Sequence, residues 1–69
     1  MDPPMAYQVT RVGKDGVIHE FFLMYNGLTP PIGDVIEVHV DLERTKTVRA
    51  RVTDSVAAMP VDRVTVTDV

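Results

Sequence analysis

Apolar and polar residues alternate along most of this chain, and the alternation breaks in one place, the run Phe21-Phe22-Leu23-Met24-Tyr25. Alternation with period two is what a strand with one wet face requires. In the run, neighbours that must point to opposite faces are all apolar, so something has to cover both sides.

Around this run the chain divides into strand-like segments. Tyr7-Gln8-Val9-Thr10-Arg11-Val12 has β-branched and aromatic residues at strand spacing. Asp15-Gly16 between apolar segments is a hairpin signal, and a second strand is expected from Val17 to Tyr25, ending at Asn26-Gly27. With Asp15-Gly16 as a two-residue turn, Arg11 faces Glu20, Val9 faces Phe22 and Tyr7 faces Met24. That register assigns Phe22 and Met24 to the core face and leaves Val12, Phe21 and Leu23 on the other. A bulge near Phe22 is the alternative, since it would turn successive apolar residues toward one core.

Pro30 and Pro31 cannot donate ladder bonds, so Leu28 to Asp34 reads as a rigid loop. Val35 to Leu42 alternates cleanly, with Ile36, Val38, Val40 and Leu42 inward and Glu37, His39 and Asp41 outward. Thr47 to Thr53 alternates again, with Val48, Ala50 and Val52 inward and Arg49 and Arg51 outward. Keeping both apolar sets on one face demands an odd loop or a bulge, and Arg44-Thr45-Lys46 is the shortest such loop. Acids then face arginines in either of two registers: Asp41 opposite Arg49, or Glu37 opposite Arg51. Asp54 or Ser55 is placed to cap a single helical turn ended by Pro60. Arg63 to Thr67 is the last strand, with Val64 and Val66 inward.

These segments specify an all-β domain, expected as a small five-stranded antiparallel barrel with one short helical turn before the last strand. The order of parts resembles the SH3-like barrel class, and Met59-Pro60-Val61-Asp62-Arg63-Val64 is similar to the stretch that precedes its closing strand. The resemblance covers the tail and the strand count. It does not extend to peptide binding, because the chain has no Trp and no long acidic first loop. An OB-fold would place a helix between the third and fourth strands, where this chain turns tightly.

Length changes the picture. At 69 residues there is room for one domain, 1–69, with residues 1–4 as an extended lead-in. A chain of this size buries only about 60% of its unfolded surface, so a partner subunit is a common source of added stability. The absence of cysteine removes disulfides and thiolate metal sites. The net charge of −3 is unlike that of most nucleic-acid-binding proteins. The longest apolar run is five residues, against roughly 20 needed to span a bilayer. Met1-Asp2-Pro3-Pro4 lacks the features of a secretory signal, which makes the cytoplasm the expected location and a membrane role unexpected.

No motif points to catalysis, and no cofactor or metal is expected. Glu37, His39 and Asp41 share one strand face, but alternate residues stand about 6.6 Å apart and arginines opposite would repel a cation. His19 and Glu20 are adjacent, so they point apart. The sole serine, Ser55, has no nucleophile motif around it. The chain therefore reads as a non-enzymatic protein-interaction module that self-associates through residues 21–25 as a homodimer. Val12, Phe21, Leu23 and Tyr25 form its expected interface. The alternative is a nucleic-acid-binding barrel using Arg44, Lys46, Arg49 and Arg51, although no aromatic residue interleaves with them for base stacking.

Overall fold

The computed structural model describes the backbone of residues 6–69 and the side chains of residues 6–19 and 24–69. Among these residues the chain is all-β: β1 (Ala6–Val12), β2 (Ile18–Asn26), β3 (Val35–His39), β4 (Thr47–Val56) and β5 (Asp62–Asp68). They form one sheet in the order β2-β1-β5-β4-β3. The expected barrel, antiparallel throughout, is corrected in two respects. β1 and β5 run parallel, and no ladder joins the edge strands β2 and β3, so the sheet is mixed and open. Alternation fixes which face of a strand is wet; it carries no information on strand direction or order.

The core lies on one face. Val9, Val38, Ala50, Val52, Val64 and Val66 are buried, and Tyr7, Tyr25, Ile36 and Val48 pack against them. β5 supplies Val64 and Val66 from the middle of the sheet, where Val9 flanks Val64 on one side and Val52 flanks Val66 on the other. Each fully buried valine stabilises the fold by about 1.5–3 kcal/mol. The inward sets expected for the third, fourth and fifth strands hold, except where the third was extended into the loop that follows it. Leu42 is 73% exposed, and Asp41 has left the strand.

Asp41 instead builds the loop between β3 and β4. Its carboxylate accepts the N–H groups of Thr45 and Lys46 and the hydroxyl of Thr45, so that a side chain substitutes for backbone partners across the loop. The loop is odd, as parity requires, but longer than three residues: His39 pairs with Thr47, and Val40 N–H donates to Lys46 O at 3.0 Å. Neither expected register is found: the ladder sets Glu37 opposite Arg49 and Val35 opposite Arg51.

The first hairpin also differs by one residue. Gly13 N–H donates to Val17 O and Gly16 N–H to Gly13 O, both at 2.9 Å. The loop is therefore Lys14-Asp15-Gly16, with Gly16 at φ 82°, the three-residue type whose last position favours glycine. Asp15 adds its carboxylate to the Val17 N–H at 3.0 Å. Arg11 consequently pairs with His19, and the register changes again between Val9 and Arg11, so that Val9 pairs with Leu23 and Tyr7 with Tyr25. Two residues of β1 thus span four of β2, and the irregularity falls within the apolar run. Met24, expected in the core, pairs with Gln8 and is exposed.

Residues 54–56 continue β4 rather than capping a helical turn. A bulge between Val52 and Asp54 restores pairing with β5 as far as Val56 opposite Arg63. Residues 57–61 are then consumed in reversing the chain and form bends, not a helix.

Candidate interaction edge and basic face

Among the described residues, the pairing order leaves one side of β2 without a ladder partner over nine residues. An unpaired strand offers a row of N–H and C=O groups to another strand. At its N-terminal end Val12 pairs with Ile18 on the outer face, where Val12 is half-buried and Ile18 is 58% exposed. Toward the other end Met24 is 43% exposed. The side chains of Phe21 and Leu23, the centre of the expected interface, lie outside the described residues.

Tyr25 does not belong to an exposed patch. It is half-buried, and its ring stacks with that of Tyr7 at 5.6 Å between centroids and with that of His39 at 5.9 Å. Its phenol oxygen accepts the backbone N–H of His39 at 2.8 Å. The rolled sheet has brought its two edges together here, and side chains bridge a gap that no backbone ladder closes. Burial raises the pKa of the Tyr7 phenol, and the neighbouring Tyr25 raises it further. One polar atom of this seam, His39 Nδ1, is buried and makes no hydrogen bond among the described residues.

Arg44 completes the seam from the β3–β4 loop. Its guanidinium lies 5.3 Å above the Tyr25 ring and donates to Met24 O at 2.6 Å. Arg44 has φ 59°, a left-handed conformation that costs an L-residue about 1–2 kcal/mol. Its ring stacking and hydrogen bond offset that cost, and its charge covers the free edge of β2 at its C-terminal end, one of the means by which exposed edges are blunted.

The four basic residues read together from the sequence are therefore divided. Arg44 faces the seam, whereas Arg49 and Arg51 stand exposed on the outer face of β4, with Lys46 exposed at its approach. Neither Arg49 nor Arg51 forms an ion pair among the described residues, although Glu37 sits in register with Arg49. Arg51 lies opposite Thr67, and Thr65 stands between Thr10 and Asp54 on the same face.

Among the described residues the ion pair is Arg11 with Asp68, on the core face at the end of the valine cluster. Sequence reading did not single it out, because its partners are 57 residues apart. Among the same residues there is no cavity and no cluster of three side chains able to hold a metal ion. Among the described residues no helix is long and apolar enough to cross a membrane. No family model, curated protein or solved structure matches the chain.

Proposed function

We propose that this domain is a non-enzymatic interaction module, acting in the cytoplasm, that self-associates as a homodimer through β2. The observation that carries the reading is the position of β2: the strand holding the apolar run is an edge strand. Ile18 and Met24 add exposed apolar surface along it. Antiparallel pairing of two β2 edges would join the two sheets and supply the burial that a chain of this size lacks. Arg44 would confine that pairing to the part of β2 that precedes Met24.

Sedimentation velocity at micromolar concentration tests the proposal. The expected result is a concentration-dependent dimer that Ile18→Lys shifts toward monomer while the circular dichroism of the strands is retained. A monomer across the whole concentration range would overturn it.

The second reading is nucleic-acid binding, favoured by the exposed Arg49 and Arg51, which form no ion pair among the described residues, on a face that also carries Thr65 and Thr67. It requires a salt-sensitive complex with single-stranded RNA or DNA that weakens in the Arg49→Ala/Arg51→Ala double variant. Absence of binding at low salt eliminates it.

A further inference from the structure

The chain has two positions where an acidic or amide residue precedes glycine, Asp15-Gly16 and Asn26-Gly27, and their surroundings differ. At Asp15-Gly16 the groups that would have to react are occupied: Gly16 N–H donates to Gly13 O at 2.9 Å, and the Asp15 carboxylate holds the Val17 N–H at 3.0 Å. At Asn26-Gly27 the side-chain amide makes no hydrogen bond among the described residues. Asn26 is exposed at the end of β2. Gly27 follows with φ 130°, and as a glycine it puts no side chain over the nitrogen that would attack. Asn26 is also the only asparagine in the sequence.

We infer that Asn26-Gly27 is a site of spontaneous covalent modification in the folded protein, by deamidation through a cyclic imide. Solvent base removes the Gly27 amide proton, and that nitrogen attacks Asn26 Cγ. A C–N bond forms, the Cγ–NH2 bond breaks, and ammonia leaves with a proton from water. Water then opens the five-membered imide at either carbonyl. Opening at Cγ gives aspartate; opening at the α-carbonyl gives isoaspartate, with the side-chain carbon now in the main chain. No oxidant or reductant takes part.

Either product makes the net charge one unit more negative than −3, next in sequence to Tyr25. The isoaspartate product also lengthens the main chain by one carbon where Asn26 pairs with Ala6. The site is thus a slow chemical change in the last residue of β2, independent of any partner for that strand.

The test is incubation of the folded chain at neutral to mildly alkaline pH over weeks, with intact mass and peptide mapping, alongside a free peptide of residues 22–30. The expected result is a mass gain of about 1 Da, mapped to residue 26 as an aspartate–isoaspartate mixture, and absent in Asn26→Gln. No gain in the folded chain while the free peptide converts would overturn the inference, as would isoaspartate at Asp15 at a rate equal to that at residue 26.

Discussion

The phenol oxygen of Tyr25 accepts the main-chain N–H of His39 at 2.8 Å, a hydrogen bond that joins the two outermost strands of the sheet. A side chain here does the work that a backbone ladder does elsewhere. Tyr25→Phe removes the acceptor and keeps the ring, leaving the His39 N–H without that partner. The expected loss is about 1–2 kcal/mol, read by urea denaturation. In thermal unfolding it corresponds to a drop in Tm of about 4–8 °C per kcal/mol for a domain of this size. An unchanged midpoint would mean that the bond does not hold the edges together.

Arg11 and Asp68 form a two-pronged pair, Nε to Oδ1 at 2.9 Å and Nη2 to Oδ2 at 2.5 Å. With side chains only 17% and 12% exposed, the pair is screened less than a surface ion pair. Removing one partner strands the other beside the valine core. Asp68→Asn and Arg11→Met are each expected to cost about 1–3 kcal/mol, and the double variant less than their sum. A double-mutant cycle in urea measures the difference, and simple additivity would show that the two are not coupled.

Tyr7 carries a pH dependence. Its phenol is raised above the ordinary value, first by burial and then by Tyr25. A group whose folded pKa lies above its unfolded one contributes stability that is complete below the unfolded value. That contribution is lost as pH rises through the folded one. Stability should therefore decline on the alkaline side, and Tyr7→Phe should flatten the decline. Ultraviolet difference titration of the phenols, with denaturation midpoints at a series of alkaline pH values, checks both.

Asp41 acts in the opposite direction. Hydrogen bonds from the Thr45 hydroxyl and from main-chain N–H groups hold its carboxyl below the ordinary range. Its contribution is present above the unfolded value and is lost as pH falls through the folded one. The β3–β4 loop should loosen in acid before the rest of the sheet. Protection of the Thr45 and Lys46 amides against exchange, taken relative to their intrinsic rates at each pH, should fall in Asp41→Ala at neutral pH, and in the parent chain only on acidification. Equal protection in both chains would overturn this role for Asp41.

Much of the molecule was legible in local pattern. The alternation around Val38, Ala50, Val52, Val64 and Val66 located the core, because a one-sided strand has no other way to dispose of its apolar residues. Parity likewise required an odd loop, or a bulge, between Ile36/Val38 and Val48/Ala50. Short-range chemistry was harder. Asp15-Gly16 is compatible with both two- and three-residue hairpins, and the one-residue difference moved Met24 out of the core and Tyr25 into it. Asp41 fitted an outward strand position until its carboxylate found Thr45 and Lys46.

By itself, the sequence determined that this chain is all-β, which strand faces are dry, and that residues 21–25 break the rule the others keep. Tertiary structure alone decided that β5 enters the middle of the sheet parallel to β1, and so that β2 is left at an edge. It also placed Arg44 on Tyr25 while leaving Arg49 and Arg51 on the open face. The reason is physical: side-chain alternation is a property of one strand, whereas order, direction and register arise from pairings between residues far apart in the chain. Arg11 and Asp68, or Tyr7 and Asp62, are neighbours only because the sheet brings them together.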